Sequence, residues 1–338
     1  MKENILIKAD NIDGLTYLGD KLKLKGAIDL VYIDPPFATN CDFTITENRA
    51  STISNSKKGE VAYTDRILGS EFIRFIRKRL ELIKILLSDK GSIYLHTDYK
   101  IGHYMKVMMD EVFGIENFRN DITRVKCNPK NFKRTGYGNI KDMILFYSNG
   151  PRPIWHEPLE KYSDADLARL FPKTDKSGRR YTTVPIHAPG ETNNPKKFKG
   201  LTPPSGRHWR TDVETLEQWD REGLIEWSPS GNPRKIVYAS ERAGKRVQDI
   251  WYQFKDPQYP VYPTEKNMDL IDRIVKTSSN RDSTVLDCFC GSGTTLKAAA
   301  LNGRNWIGID QSDFAVEATL KKLASAGIAP TDFKMIEL

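Results

Sequence analysis

Cysteine is scarce: four in 338 residues, at Cys41, Cys127, Cys288 and Cys290. Only Cys288 and Cys290 lie close together, and without a second close pair they lack the spacing of a structural zinc site. We therefore expect reduced, cytosolic thiols and no bound metal. None of the four follows a proline, which excludes chemistry that depends on a Pro-Cys nucleophile, such as methylation at the 5-carbon of cytosine. No apolar run approaches the ~18 residues of a membrane span. Met1 to Asp10 carries no apolar stretch ahead of a small-residue cleavage site, so nothing there reads as a secretory signal. Internal repeats, heptads and low-complexity tracts are also missing. Acidic residues are in the minority, 44 against 52 Lys and Arg, and the formal charge of +8 favours a polyanionic partner.

What is present alternates. Apolar runs at Asn4 to Ala9, Asp29 to Asp34 and Ser92 to Asp98 are separated by longer polar or helical stretches, which predicts a parallel sheet. Phe72, Phe75, Ile76, Leu80, Ile83 and Leu87 recur at helical steps, with Arg74, Lys78, Arg79 and Lys84 on other faces, and predict an amphipathic crossover helix that stops near Gly91. The polar stretch from Asn40 to Ser70 reads as a mobile loop. Asp121 to Lys126 and Asp142 to Ser148 read as a hairpin at one sheet edge. From Pro151 onward prolines crowd in and periodicity fades, so we expect a separate irregular domain over 151–261, between core halves at 1–150 and 262–338.

Ser283 to Ser312 reads as strand, glycine turn, helix, strand. A strand ends in Asp287, Gly291 and Gly293 allow a ligand close to the backbone, and Asp310 closes the next strand 19 positions after Gly291. That is the distance at which a carboxylate reaches ribose hydroxyls. A dinucleotide oxidoreductase would want a third glycine where Leu296 stands, and would place this unit near the N-terminus. A plain tight turn with a capping Asp stays open on the glycines alone.

The tetrapeptide Asp34-Pro35-Pro36-Phe37 sits where another apolar strand ends, the edge that receives ligands in an open α/β sheet. An exocyclic amino group on a base is a poor nucleophile, because its lone pair is delocalised into the ring. The Asp34 carboxylate and the Pro35 carbonyl could accept its two N–H bonds and turn the lone pair toward an electrophilic methyl group. Phe37 offers a face for an unstacked base. Taken alone, the tetrapeptide reads equally well as an edge strand terminated by Pro-Pro.

Together, DPPF early and LDCFCGSGTT late resemble the amino-group (N6-adenine/N4-cytosine) DNA methyltransferases of the permuted β-type, with the catalytic motif first and the cofactor motif last. The resemblance implies a Rossmann-like, doubly wound, mostly parallel α/β core with an inserted target-recognition domain, and S-adenosylmethionine as cofactor. The family's FxGxG motif matches Phe289, Gly291 and Gly293, followed by Thr294. Asp287 precedes it and Asp310 serves the ribose. Asp10, in IKADNIDGL, is placed near the cofactor adenine. Thr264 and Lys266, in YPTEK, lead a helix toward the methionine end, with Thr264 a suitable N-cap. Phe37 stands for the commoner Tyr, Cys288 for Pro, and Asn267 for a Pro after the Lys. An initial Asp in the tetrapeptide is typical of adenine methylation. The resemblance thus implies a site-specific adenine methyltransferase acting on double-stranded DNA in the cytoplasm, nucleoid-associated. It admits a homodimer and a cognate restriction endonuclease as partners. Cytosine 4-amino methylation, an RNA substrate and a silent nucleic-acid-binding module are the alternatives.

Two acid-free basic runs are candidates for phosphate contact. Arg124 to Lys141 holds Lys126, Lys130, Lys133 and Arg134, and Asn193 to Arg210 holds Lys196, Lys197, Lys199, Arg207 and Arg210. Solvated faces are the plainer reading of either run by itself.

Overall fold

A computed structural model describes residues 3–35, 42–46, 49–52, 60–64, 70–129, 131, 133, 135–191, 196–258 and 265–338, with the backbone alone for 42–64 and Ser70. Pro36, Phe37, Lys130, Arg134 and Thr264 lie outside the described residues. The chain divides into two compact units, 1–158 with 248–338, and 159–247.

Among the described residues, the main sheet of the larger unit has nine strands: β1 (Asn4–Lys8), β2 (Ile28–Ile33), β3 (Leu87–Thr97), β4 (Phe118–Val125), β5 (Lys141–Ser148), β6 (Ile250–Trp251), β7 (Thr284–Asp287), β8 (Asn305–Asp310) and β9 (Phe333–Glu337). Their order is β6-β4-β5-β3-β2-β7-β8-β1-β9. Of these, β5 runs against the rest, antiparallel to both β3 and β4. The helices are α1 (Asn11–Asp20), α2 (Ser70–Leu86), α3 (Gly102–Phe113), α4 (Met268–Ser278), α5 (Thr294–Leu301) and α6 (Asp313–Ala324). This is a Rossmann-like, doubly wound α/β core. Strand β2 shows why: Ile28, Leu30, Val31, Tyr32 and Ile33 are all buried, as the strand of a parallel sheet covered on both faces must be.

Helix α2 buries Phe72, Ile76, Leu80, Ile83 and Leu86. It ends at Leu86 rather than near Gly91, which falls inside β3. A Cβ there would lie 2.9 Å from the Ile28 carbonyl oxygen, so that glycine serves strand packing. Arg79, expected on a polar face, is buried. Asn267, not Thr264, caps α4, its side chain accepting from the N–H groups of Asp269 and Leu270. No helix among the described residues is long and apolar enough to cross a membrane.

Two expectations about loops need correction. Within the stretch expected to be a mobile loop, Asp42–Thr46, Arg49–Thr52 and Glu60–Thr64 form a three-stranded antiparallel sheet. The alternation in Asp42-Phe-Thr-Ile-Thr46 is strand-like at short range, and the polar residues around it hid the pattern. The unit at 159–247 is also ordered rather than irregular. A four-stranded antiparallel sheet, ordered Lys173–Thr174, Arg180–Pro185, Pro233–Tyr238, Ile225–Trp227, accompanies helices Asp164–Leu170 and Val213–Arg221. Ile186, Phe198, Val213, Leu216 and Ile225 form its core. Its strands are too short to show periodicity. The unit is narrower than 151–261 because Ile250–Trp251 pairs with β4 and the Ile154 N–H donates to the Lys90 carbonyl.

Candidate functional site

Four adjacent parallel strands, β2, β7, β8 and β1, each deliver an Asp at the same sheet edge. Asp34 follows β2, Asp287 ends β7, Asp310 ends β8, and Asp10 lies just beyond β1. All four line one pocket, together with Asn11, Phe75, Lys266, Phe289, Gly291 and Thr294. Asp34 and the glycine turn, more than 250 residues apart in the chain, are thus brought together by the β2–β7 pairing.

The glycine turn has its shape for identifiable reasons. Gly291 and Gly293 hold φ of 50° and 76°, a region that side chains disfavour. A Cβ on Gly293 would also meet the Thr319 hydroxyl at 2.8 Å. That hydroxyl donates to the Gly291 carbonyl at 2.9 Å. The Asp310 Oδ2 accepts from the Gly291 N–H at 2.9 Å, and its Oδ1 from the Ser312 N–H at 3.0 Å. Leu296, where a dinucleotide fingerprint would have glycine, packs over Gly308 of β8, whose missing Cβ leaves the room.

Burial pushes the Asp287 carboxyl up to about 7 against donors from Thr295 and the Phe289 N–H, with the Asp34 and Asp310 charges adding to the rise. Burial raises Asp310 as well, opposed by its backbone donors. Across the pocket Asp34 Oδ2 lies 2.6 Å from the Lys266 ammonium. Its Oδ1 is buried and has no partner among the described residues. Asp10 caps α1 by accepting from the Ile12 N–H at 2.7 Å.

Several residues escaped the sequence reading. Arg79 donates to Asp10 at 3.1 Å and to Asn11 at 2.6 Å, and its guanidinium sits 3.4 Å from the Phe75 ring centre. Asn11 in turn donates to the Cys288 carbonyl at 2.7 Å. Phe75 and Phe289 have ring centres 6.3 Å apart, offering an apolar wall. A signal existed: Phe72, Ile76, Arg79 and Ile83 follow one helical stripe, so Arg79 is in phase with the buried face.

Residues 28–321 match the DNA methylase family, N6/N4 class. The chain belongs to that family. It is 40% identical to the type II methyltransferase M.EcaI of Enterobacter cloacae, over 97% of this chain and 70% of that one. It is 26% identical to the StyLTI Mod subunit, part of a type III restriction-modification enzyme of Salmonella typhimurium, over 88% of this chain and 50% of the relative. The chain thus spans about half the length of that larger subunit. The M1.HpyAVI–SAM complex superposes with a TM-score of 0.50 at 15% identity, over 94% of this chain and 98% of that one. A DNA modification methylase of Thermus thermophilus, so described provisionally and complexed with S-adenosyl-L-methionine, superposes with the same score at 14% identity, over 99% and 98%. These two show the shared fold.

The basic residues expected on the DNA side of this methylase divide. Arg124 is fully buried, donating to the Phe254 carbonyl and bonded to Asp256. Lys126 is partly exposed and lies 2.7 Å from the buried Asp142, so of the two Arg124 is committed to the interior rather than to a phosphate clamp. Lys133 is exposed. In the smaller unit Lys196, Lys197, Lys199, Arg207 and Arg210 are exposed, with Lys196 paired to Glu214 and Lys199 to Asp220 at 2.8 and 3.1 Å.

Proposed function

We propose that this methylase transfers the methyl group of S-adenosylmethionine to the 6-amino group of adenine in duplex DNA, as the modification activity of a restriction-modification system. The observation that carries the reading is the buried, unpartnered Oδ1 of Asp34 in the pocket that also holds the glycine turn and Asp310. An orphaned acceptor costs ~1–3 kcal/mol, and a donor from the target amino group would relieve that cost.

The residues suit the cofactor. Asp310 and Asp10 offer acceptors to ribose and adenine polar groups, Phe75 and Phe289 offer an apolar wall, and the glycine turn admits a ligand against its backbone. When bound, S-adenosylmethionine supplies an electrophilic methyl carbon. Asp34 and the Pro35 carbonyl accept the two N–H bonds of the amino group, which draws the nitrogen toward tetrahedral geometry and aims its lone pair. To reach this edge the base leaves the helical stack. The smaller unit acts as the target-recognition domain, and Lys133, Lys196, Lys197, Lys199, Arg207 and Arg210 meet phosphates.

The test is transfer of labelled methyl from S-adenosylmethionine to duplex DNA, followed by digestion to nucleosides. Label is expected in N6-methyldeoxyadenosine. Asp34→Ala should lower transfer by at least ~10³-fold while cofactor affinity changes by less than about threefold. Label in N4-methyldeoxycytidine, or an active Asp34→Ala enzyme, would refute the reading.

A further inference from the structure

Glu265 and Lys266 are neighbours in sequence, yet they bond to opposite halves of the site. The Lys266 ammonium lies 2.6 Å from Asp34 Oδ2, with the two side chains only 10% and 14% exposed. Glu265 Oε1 lies 2.5 Å from the ammonium of Lys322 on α6. That ammonium also donates to the hydroxyls of Ser292 and Thr294, at 2.8 Å each, and these two residues flank Gly293. Charge-assisted bonds therefore reach from the end of β2, through Lys266 and Glu265, to the turn that opens α5.

A free carboxylate can rotate and present either oxygen, whereas an amino group needs an acceptor at one fixed place. Bonding Oδ2 to a buried ammonium removes that freedom and leaves Oδ1 as the one oxygen of Asp34 without a partner among the described residues.

We propose that Lys266 is a positioning residue for methyl transfer: it holds Oδ2 of Asp34 so that Oδ1 meets an N–H of the target amino group. Glu265, anchored on Lys322, fixes the segment that carries Lys266. The family resemblance assigned Lys266 to the methionine end of the cofactor, whereas the geometry puts its ammonium on the carboxylate at the end of β2. The bonds that change are those of the proposed reaction. The nitrogen lone pair forms the N–C bond, and the electron pair of the broken S–C bond stays on the donor sulfur, which leaves as a neutral thioether. The methylated nitrogen gives up one N–H proton through Asp34 Oδ1 to solvent. This inference rests on the proposed methyl transfer at Asp34.

The experiment compares wild type, Lys266→Met and Lys266→Arg in single-turnover transfer of labelled methyl to DNA at saturating S-adenosylmethionine. The cofactor Kd is measured by calorimetry on the same samples. Lys266→Met should lower the rate constant on the order of 10- to 100-fold, the usual cost of a misplaced group, with the Kd within about threefold of wild type. Lys266→Arg, which keeps a cation beside Oδ2, should recover most of that loss. Should the Met variant fail to fold, Lys266→Gln, which keeps a donor for Oδ2 without the charge, takes its place with the same split. A tenfold or larger rise in Kd at an unchanged saturated rate would overturn the inference and return Lys266 to the cofactor. An equal rate loss in the Met and Arg variants would overturn it too. Failure of the underlying reading looks different: wild type would transfer no label to DNA, or Asp34→Ala would match wild type.

Discussion

Two sets of carboxylates in the larger unit are treated in opposite ways. Asp142, on β5, is surrounded by positive or polarisable partners: Lys126 at 2.7 Å, His96 at 3.4 Å and Arg124 at 3.5 Å. Burial alone would raise it, yet His96 and Lys126 hold its carboxyl well below the usual range. Asp287 is also buried and Asp310 partly so, at the ends of β7 and β8, but their donors are backbone N–H groups and the Thr295 hydroxyl. Both are shifted upward. A carboxylate whose charge is matched inside the protein belongs to the scaffold. One buried among neutral donors keeps acceptor capacity for a ligand, and is costly until the ligand comes.

The largest effect should come from breaking the matched cluster. Asp142→Ala leaves the fully buried Arg124 with the Phe254 carbonyl and the half-exposed Asp256, and Lys126 without its buried partner. Removing one member of a buried ionic cluster costs about 3–5 kcal/mol. Urea unfolding should show that loss, while cofactor affinity of the folded fraction stays within about threefold of wild type. A loss under about 1 kcal/mol would mean the cluster is not the scaffold element inferred from its geometry.

The same contrast explains what could be read from the sequence. The sheet and the glycine turn follow from local signals: apolar runs ending in Asp, and glycines where the chain must turn left-handed. The shared edge of Asp34 and Gly291 is instead implied by the family resemblance and made by the long-range β2–β7 pairing. Arg124 read as a DNA contact because its partners, Asp142, Phe254 and Asp256, lie elsewhere in the chain, and a count of basic residues cannot see a matched charge. Arg79 could have been placed by its phase with Ile76 and Ile83, since an arginine in an apolar stripe must find an acceptor. Lys322 gave no such warning. Its partners Glu265, Ser292 and Thr294 come from two other segments. In the smaller unit, strands of two to six residues carry too little alternation to be seen.

Next in size is the pH dependence of the unmatched pair. Because the Asp287 carboxyl titrates near 7 in the folded state and at 3.8 without burial, the folded protein holds a proton that the unfolded chain gives up. Stability is therefore complete below the unfolded value and declines as pH rises toward 7, above which the cost is constant. Three pH units correspond to roughly 4 kcal/mol as an upper bound. Asp287→Asn keeps an acceptor for the Phe289 N–H and does not ionise. Without cofactor it should match wild type near pH 4 and gain on it progressively up to pH 7 in urea unfolding. A gap that stays the same from pH 4 to pH 8 would show that Asp287 is compensated like Asp142.

The smallest effect concerns Asp310, which does two things at once. Its oxygens fix the Gly291 and Ser312 N–H groups, and an ionised carboxylate has lone pairs left over for ribose hydroxyls. Asp310→Ala removes both, at about 1.5–3 kcal/mol for bonds to a charged acceptor, which is on the order of a 10- to 100-fold weaker cofactor Kd by calorimetry. Asp310→Asn, which keeps one acceptor oxygen, should fall between the two. At saturating cofactor the methyl-transfer rate should remain within about threefold of wild type, because Asp34 and not Asp310 faces the target amino group in the proposed reaction. A saturated rate that collapses at unchanged Kd would move Asp310 from holding the cofactor to the chemistry itself. The division of labour between the end of β2 and the end of β8 would then be wrong.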